Sequence, residues 1–186
     1  MVDDGSDALA EAAEVIVAGG VVAHACEGVW GLACDPMNEA AVHRVLHLKR
    51  RPVSKGLIVI GAAAGDFAPE LEPLCAEAAT RIRDSWPGAV TWLVQNVRFP
   101  PWIVGDFPTV AVRVPDHEQA RQFALACGRP LVSTSANRAA DPPARSAEEV
   151  RRTFGSEIDG LLPGSVGDRS APSTIIDAAT GRVLRG

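Results

Sequence analysis

Residues 38–60 read NEAAVHRVLHLKRRPVSKGLIVI and contain one complete helix-to-strand unit. Asn38 is suited to cap a helix, because its side-chain oxygen can accept a backbone N–H of the first turn. Pro52 ends that helix, since proline disfavours the helical conformation at the residue before it. The run at 57–60 (LIVI) is typical of a strand buried on both faces. Between the cap and the proline, apolar residues recur at helical spacing at Ala41, Val42, Val45, Leu46 and Leu48.

The same alternation of helical and β-branched runs continues along the chain. It predicts further helices at 6–18, 73–84, 116–128 and 146–154, and further strands at 21–23, 90–94, 109–114, 130–134, 173–177 and 182–184. The helix at 116–128 would begin at a capping box formed by Asp116 and Gln119. Such alternation indicates an α/β fold in which a sheet is layered against helices. With 186 residues and no linker long enough to divide them, we expect one domain over residues 1–186.

Composition and charge narrow the class of function. Hydrophobic residues make up 47% of the chain and charged residues 22%, which is the balance of an ordinary globular protein. No apolar run reaches the roughly 18–20 residues that a membrane span needs, so we expect no membrane association. The net charge of −5 argues against nucleic-acid binding without sequence preference, which needs an excess of cations, but it leaves room for a local basic groove.

The cysteines indicate a reducing compartment. The chain contains four of them, at positions 26, 34, 75 and 127, and no two form a CxxC pair. Zinc binding and thioredoxin-like redox chemistry are therefore disfavoured. The N-terminus is acidic and polar rather than a secretory signal, so we expect reduced thiols in a cytoplasmic protein.

Four cations lie within the seven residues 49–55, at Lys49, Arg50, Arg51 and Lys55. Cations at the end of a helix can simply complement its dipole. Pro52, however, makes the chain leave the helix abruptly, so that Arg51 and Lys55 can project from a turn. Arginine grips phosphate through two parallel hydrogen bonds, and lysine supplies a point charge. Because the chain has neither a GxxxxGK[ST] loop nor a GxGxxG turn, side chains rather than a glycine-rich loop would hold any nucleotide.

Residues 133–137 (STSAN) place three hydroxyls and an amide at the end of a predicted strand. Ligands of open α/β sheets bind outside the carboxyl ends of the strands, which is where this run lies. Alternation along the strand puts Ser133 and Ser135 on one face, with Asn137 beyond them. The alternative is an ordinary polar strand end that leads into the loop at 138–145, which we expect to cover the site.

Residues 27–32 (EGVWGL) follow a predicted strand. Their glycines permit a tight turn, and Trp30 either offers a flat apolar wall to a ligand or packs in the core beside the turn. Glu27 and Asp35 are acids that can approach a magnesium–phosphate complex, but an ordinary surface position is an equally good interpretation for both.

Taken in order, these stretches resemble the threonylcarbamoyl-AMP synthase family of YrdC-like proteins from about residue 7 to residue 186. The pieces that carry the resemblance lie at 27–32, 35–36, 48–52, 55–58, 86–91, 112–115, 133–137, 172–177 and 184–185. The family's KxR and SxN signature is present as Lys49, Arg51, Ser135 and Asn137. The resemblance implies a single-domain α/β fold, in which a twisted mixed sheet is flanked by helices and carries a concave basic cleft.

The resemblance also implies an activity, that of a nucleotidyltransferase. Enzymes of this family convert ATP, L-threonine and bicarbonate into L-threonylcarbamoyl-adenylate and pyrophosphate. A partner complex then transfers the threonylcarbamoyl group to adenosine 37 of tRNAs that read codons beginning with A. We expect Mg²⁺ to arrive with the ATP phosphates, without a direct protein ligand, and weak binding of RNA or tRNA is left open.

By the same resemblance, two groups of residues would hold the substrates. The nucleotide would be bound by Lys49, Arg51, Lys55, Thr109, Ser135, Asn137, Pro143 and Arg185. L-Threonine would be bound by Arg113, Ser133 and Ser173. Lys49 and Arg51 would also be catalytic, because charge grows on the departing phosphates and nearby cations stabilise the transition state.

One departure from the family concerns substrate binding. This chain has Ala25-Cys26-Glu27 where relatives usually have Pro-Thr-Glu. A thiol is a weaker hydrogen-bonding group than a hydroxyl, so we expect weaker threonine binding or an altered choice of amino acid. Two other interpretations stay open at this point: a catalytically weak relative that binds nucleotide, and an RNA-binding or ribosome-maturation module that uses the same basic groove.

Overall fold

The computed structural model describes residues 4–169 and 171–185, so residues 1–3, 170 and 186 of the predicted domain lie outside the described part. The helices of the described part are α1 (Asp4–Val17), α2 (Glu39–Lys49), α3 (Ala68–Leu71), α4 (Ala76–Asp84), α5 (Pro101–Val104), α6 (Glu118–Ala126) and α7 (Ala147–Phe154). Its strands are β1 (Val22–Ala25), β2 (Trp30–Cys34), β3 (Ile58–Ile60), β4 (Val90–Gln95), β5 (Thr109–Arg113), β6 (Leu131–Ser135), β7 (Gly160–Leu161), β8 (Thr174–Asp177) and β9 (Val183–Arg185). Short 3₁₀ turns lie at Val53–Lys55, Ala64–Phe67 and Gly155–Glu157.

These strands pair into one mixed sheet, in the order β7-β1-β2-β6-β3-β5-β4-β8-β9. The pairs β7 with β1, β3 with β5 and β4 with β8 are parallel, and the other neighbours are antiparallel. Strand β6 comes late in the sequence but enters the sheet between β2 and β3. This crossover places β6 beside two segments of the N-terminal third of the chain, with residues 132–135 paired to β2 and residues 131–132 paired to β3.

The two faces of the sheet bury different helices. Side chains alternate along each strand, so Leu32, Val59 and Val132 share one face, where they pack in a large core that includes α2, α4 and α7. On the opposite face, Ala33 and Leu131 pack against α1 and α6. These two helices cover only part of that face, and the part that they leave open becomes the floor of a cleft.

Helix α2 and the turn after it follow the sequence prediction. Asn38 accepts a hydrogen bond from the Ala41 N–H at 3.0 Å, as expected of a cap. The helix ends at Lys49, and Arg50 adopts the left-handed conformation, with φ 51° and ψ 43°. That conformation is uncommon for a residue other than glycine. It reverses the chain at once, so that Arg51 reaches the cleft.

One local prediction is met only in part, and two are wrong. The tight turn that the glycines of residues 27–32 permit forms at residues 27–29, but Gly31 lies in a strand, because the buried Trp30 begins β2. The helix predicted at 73–84 begins at Ala76. Helix α6 is capped by His117, whose ring nitrogen accepts from the Ala120 N–H, rather than by the predicted capping box.

The architecture confirms the predicted fold class, an α/β fold in which a mixed sheet is flanked by helices. None of the helices between residues 4 and 185 combines the length and the apolar character that crossing a bilayer requires. The single domain over residues 1–186 and the cytoplasmic location stay predictions.

Candidate active site

A cleft of about 610 Å³ lies over the part of the sheet that α1 and α6 leave open. Its floor is formed by residues of three neighbouring strands, β2, β6 and β3: Gly31, Ile58, Ser133 and Ser135. Its walls come from three loops: residues 26–29, Pro142 with Pro143, and residues 171–173. The sheet order thus gathers into one hollow segments that lie far apart in the sequence.

The cleft is strongly cationic. Among the described residues that line it, the charged ones are five arginines and one glutamate: Arg51, Arg113, Arg145, Arg169, Arg185 and Glu27. Burial lowers the pKa of Arg51, and the charge of Arg185 lowers it further. Burial likewise lowers the pKa of Arg185, to which the charge of Arg113 adds. Guanidinium groups that repel one another in a partly buried hollow create a field that attracts a multiply charged anion.

Arg51 and Arg185 are held at the cleft by the same edge of the guanidinium group. Nε and Nη2 of Arg51 donate to the Gly56 carbonyl at 3.1 and 2.8 Å. Nε and Nη2 of Arg185 donate to the Ser173 carbonyl at 3.2 and 3.1 Å. In both arginines, Nη1 makes no hydrogen bond to a described residue. Each side chain is therefore oriented in advance and keeps a donor for a ligand.

Arg113 is anchored in a similar way but carries a counter-charge. Its Nε donates to the Gly88 carbonyl at 2.9 Å, and its Nη2 forms an ion pair with Glu27. The two side chains expose only 12% and 10% of their surface, so the pair is nearly buried. Glu27 also accepts from the Asp116 N–H at 2.9 Å and from the Cys26 thiol at 3.0 Å. Protein donors thus occupy the carboxylate, while Nη1 of Arg113 makes no hydrogen bond within the described part of the chain.

The loop at residues 26–29 packs closely against another backbone segment. A Cβ on Gly28 would lie 2.1 Å from the carbonyl oxygen of Arg169, so only glycine fits there. The Arg169 N–H donates to the Glu27 carbonyl at 3.2 Å. Burial, together with the charge of Glu27, raises the pKa of the Cys26 thiol to about 12. The thiol therefore stays protonated and acts as a hydrogen-bond donor rather than a nucleophile.

Lys49 lies directly beneath the cleft rather than in its lining. It is only 5% exposed. Its Nζ donates to the Ser135 carbonyl, to Oδ1 of Asn137 at 3.0 Å and to the Asn137 carbonyl at 3.2 Å. The Ser135 hydroxyl donates in turn to Asn137 Oδ1 at 2.6 Å. Burial, with a smaller contribution from the charge of Arg51, lowers the pKa of Lys49 to about 8. The KxR and SxN motifs therefore meet in space through Lys49.

The structure brings most of the predicted site residues together. Those that line the cleft are Arg51, Arg113, Ser133, Ser135, Pro143, Ser173 and Arg185. Lys49 and Asn137 lie behind that surface. Lys55 and Thr109 are not among the lining residues. Lys55 is exposed on the 3₁₀ turn after α2, and Thr109 starts β5, about 13 Å from the other end of that strand.

Asp35 is directed away from the cleft. Its side chain pairs with Arg129 and accepts from the Met37 N–H at 2.8 Å. The interpretation of Asp35 as an acid near a magnesium–phosphate complex therefore finds no support in the geometry. Within residues 4–169 and 171–185, no group of three or more His, Cys, Asp or Glu side chains is arranged to hold a metal ion.

Three residues at the cleft have no counterpart in the sequence predictions. Arg145 belongs to the loop at 138–145, which the sequence predicts to cover the site, and a cation in that loop could have been recognised as a candidate for binding an anionic ligand. Arg169 lies in a segment with no recognisable periodicity. His24 is fully buried, and its Nε2 lies 3.0 Å from the Ser133 hydroxyl. A single histidine before a turn gives no indication of such a contact.

The fold and the cleft place this protein in a class. It has an open α/β sheet, and the cation-lined cleft over one face is a preformed site for a small anionic molecule. Comparison with known proteins gives the family. The family model for the Sua5, YciO and YrdC proteins, described as "Telomere recombination", matches residues 14–186. The chain belongs to this family, so the resemblance drawn from its motifs is confirmed.

Relatives in this family share a name. A threonylcarbamoyl-AMP synthase from Nitrosococcus oceani is 48% identical over 175 residues, which cover 94% of this chain and 95% of that protein. A threonylcarbamoyl-AMP synthase from Halorhodospira halophila is 50% identical over 168 residues, which cover 90% of this chain and 88% of that protein. Both relatives therefore align with this chain over nearly their full lengths.

Among solved structures, P. abyssi Sua5 complexed with L-threonine matches with a TM-score of 0.88 and 31% sequence identity. The match covers 95% of this chain and 53% of the Sua5 chain, so this chain spans about half the length of that protein. The high TM-score over almost the whole chain confirms the fold.

Proposed function

We propose that this chain is a threonylcarbamoyl-AMP synthase, which forms L-threonylcarbamoyl-adenylate and pyrophosphate from ATP, L-threonine and bicarbonate. The observation that carries the proposal is the row of Arg51, Arg185 and Arg113 above a floor of hydroxyl groups. The reaction needs a triphosphate and a carboxylate to bind side by side, and this row offers a donor to each. The shared name of the full-length relatives supports the same conclusion and favours it over an RNA-binding module.

The Arg113 end of the cleft suits the amino acid. Nη1 of Arg113 is available for the threonine carboxylate, and Ser133 lines the adjacent floor. The Ser173 hydroxyl lies 2.9 Å from the Thr91 hydroxyl and 3.2 Å from Nη2 of Arg185. These contacts fix Ser173 at the boundary between the two substrates, where it can bind threonine.

The Arg51 and Arg185 end suits the phosphates. Hydrogen bonds to charged groups contribute about 1.5–3 kcal/mol each, so two such donors hold a triphosphate well. Ser135 and Pro143 also line the cleft, and Asn137 supports Ser135 from behind. We propose that Lys49 acts from beneath through its positive charge. Nucleotide binding by Lys55 and Thr109 stays a prediction of the family resemblance.

The chemistry requires two bonds to form. With carbon dioxide, the neutral amine of threonine forms an N–C bond as a C=O π bond breaks, and the nitrogen releases a proton to solvent. With bicarbonate, the same N–C bond forms as a C–O bond breaks, and the nitrogen proton leaves with the hydroxide as water. Either route gives a carbamate. A carbamate oxygen then forms a bond to the α-phosphorus of ATP while the bond to the bridging oxygen breaks, and pyrophosphate leaves with that electron pair. Arg51, supported by the charge of Lys49, stabilises the charge that grows on the departing group. Alignment of the three small reactants supplies much of the remaining acceleration.

Magnesium would be bound by the phosphates of the nucleotide. When bound, it neutralises phosphate charge and favours the departure of pyrophosphate. Glu27 lines the cleft but is engaged by Arg113 and by the Asp116 N–H. The residues at this site therefore fit an ion that is carried by the nucleotide rather than one held by carboxylates of the protein.

The product is an activated carbamoyl group, which reacts with nucleophiles and has to be passed on. We propose that a partner complex receives it and transfers it to adenosine 37 of tRNAs that read codons beginning with A, as the family resemblance implies. Direct binding of RNA by this chain would be weak, because the net charge of −5 opposes it outside the cleft.

The proposal is tested by incubating the protein with ATP, Mg²⁺, L-threonine and bicarbonate and by detecting the adenylate by mass spectrometry. Omission of threonine or of bicarbonate should abolish the product. Arg51→Ala should reduce product formation sharply, whereas Arg83→Ala, an exposed arginine on α4, should leave it unchanged.

Two outcomes would contradict the proposal. Nucleotide binding without product would identify a catalytically weak relative. Tight RNA binding that falls steeply with salt, without release of pyrophosphate, would identify an RNA-binding module.

A further inference from the structure

The side chain of His24 crosses one strand of the sheet to reach the cleft. His24 lies fully buried on β1, and its Nε2 is 3.0 Å from the Ser133 hydroxyl on β6. Strand β2 runs between them and places Gly31 opposite His24. A Cβ on Gly31 would lie 3.1 Å from both the ring nitrogen and the hydroxyl oxygen. Because glycine has no side chain, the His24 ring and the Ser133 hydroxyl can come into contact past position 31.

The direction of this hydrogen bond follows from the other ring nitrogen. Nδ1 of His24 lies 3.0 Å from the carbonyl oxygen of Ala25. A carbonyl can only accept, so Nδ1 carries the ring proton and Nε2 of the neutral ring is an acceptor. Burial lowers the pKa of His24 to about 4, against the opposing effect of the Ala25 carbonyl, so the ring is neutral near pH 7. The Ser133 hydroxyl therefore donates its proton to His24 and turns its lone pairs to the cleft.

We propose that His24 is a positioning residue, which fixes the Ser133 hydroxyl as a hydrogen-bond acceptor for the amino group of the substrate amino acid. The inference rests on the proposed function, in which Ser133 binds threonine. An N–H of the amine donates to Ser133, and the lone pair of the amine stays free to attack carbon. If the Ser133 proton pointed into the cleft, it would bind that lone pair and block the nucleophile.

His24 and Ser133 are not arranged as a base and a nucleophile. A general base works best when its pKa lies near the operating pH, and burial takes His24 far below it. Nδ1 is held by a backbone carbonyl rather than by a carboxylate that would stabilise the charged ring. The pair thus has the geometry to orient a hydroxyl but not to activate it.

The first test measures the tautomer of His24 in the wild-type protein by ¹⁵N NMR of labelled histidine. The proposal requires the proton on Nδ1. A proton on Nε2 would mean that Ser133 accepts from His24, and the proposal would be overturned.

The second test compares two ligands by calorimetry: L-threonine and 3-hydroxybutyrate, which has the same carboxylate and hydroxyl but no amine. His24→Phe keeps an aromatic ring against Phe123, whose centroid lies 5.7 Å from that of His24, but it offers no acceptor. We expect it to weaken threonine binding about three- to ten-fold, the effect of one hydrogen bond. Binding of 3-hydroxybutyrate should be unaffected. His24→Gln, whose amide oxygen can accept from Ser133, should restore threonine binding.

The same comparison in a Ser133→Ala background separates positioning from general structural support. There, His24→Phe should cause no further loss of threonine affinity. An equal loss for both ligands, or an additive loss in the Ser133→Ala background, would overturn the proposal.

Failure of the proposed synthase activity can be distinguished from failure of the proposed role of His24. Threonine binding by the wild type without adenylate formation would contradict the synthase activity and leave the role of His24 standing. If neither His24 variant folds, the tautomer measured in the wild type decides.

Discussion

The ammonium group of Lys49 lies 3.0 Å from Oδ1 of Asn137, a residue 88 positions further along the chain. This contact ties the end of α2 to the end of β6, beneath the floor of the cleft. The Nζ donors of Lys49 are directed at oxygen atoms of Ser135 and Asn137. Lys49 therefore holds the SxN segment in place, and its charge adds to the positive potential of the cleft.

Removal of Lys49 should destabilise the fold. In Lys49→Met the acceptors on Ser135 and Asn137 lose a buried donor, so we expect the free energy of unfolding to fall by about 1–3 kcal/mol. Urea unfolding measures this change. Lys55→Met is the matched control, because Lys55 is exposed, and we expect it to stay within about 0.5 kcal/mol of the wild type. Equal stability of the two variants would show that the Lys49 contacts contribute nothing.

The pKa of Lys49, about 8, predicts a pH-dependent affinity for ATP. The amine is charged below that pH and becomes neutral above it, so ATP should bind more weakly as the pH rises through about 8. Lys49→Arg stays charged and should lose this midpoint, which calorimetry from about pH 7 to about 9.5 would show. The unfolded chain binds more protons than the folded one between about pH 8 and the ordinary lysine value of 10.5, so the contribution of Lys49 to stability rises over that window.

The Glu27–Arg113 pair should be far more costly to break than a surface ion pair. Both side chains are nearly buried, and Glu27→Ala leaves the Arg113 charge without its partner. We expect a loss of about 3–5 kcal/mol in the free energy of unfolding, measured by urea denaturation. Glu77→Ala breaks the exposed pair with Arg81 and should cost less than about 1 kcal/mol. Similar losses in both variants would argue that burial of the cleft pair has no energetic consequence.

Arg145 and Arg169 should contribute to nucleotide binding, although neither belongs to the family signature found in the sequence. Both line the cleft and add to its positive field. We expect Arg145→Ala and Arg169→Ala each to weaken ATP binding about ten-fold, the effect of one charge-assisted hydrogen bond. The loss should shrink at high salt, which screens exposed charges. Arg152→Ala, an exposed arginine on α7, is the control and should bind ATP like the wild type.

Local rules of helix capping and strand alternation account for much of what could be predicted. The Asn38 cap, the end of α2 before Pro52 and the shared face of Ser133 and Ser135 all follow from residues within one element. Strand β2 was not predicted, for two reasons. Its residues are all buried, so its sequence lacks the alternation of apolar and polar residues that marks a half-exposed strand. In addition, Gly31 within it suggests a turn.

Contacts between distant elements could not be predicted in the same way. The inward orientation of Lys49 depends on acceptors from β6, and the charge run at 49–55 gives no sign that one of its members is buried. The contact of His24 with Ser133 depends on the order β1-β2-β6 and on the glycine between them. Both arise from the sheet topology, which only the folded structure reveals.

Cys26 offers the most direct test of how this chain departs from its relatives. Its thiol donates to Glu27 at 3.0 Å, so the side chain presents to the cleft only sulfur, which is a weak acceptor. In Cys26→Thr the hydroxyl can donate to the same carboxylate and present a stronger acceptor to the amino acid. We therefore expect a lower KM for L-threonine, by about three- to ten-fold, with the KM for ATP unchanged.

Cys75→Thr is the matched control, because Cys75 is exposed at the start of α4 and should show neither effect. Steady-state kinetics of pyrophosphate release with each substrate varied in turn would measure both constants. An unchanged or higher KM for threonine in Cys26→Thr would mean that the thiol already serves the substrate as well as a hydroxyl does. The weaker threonine binding expected from the Ala25-Cys26 sequence would then be wrong.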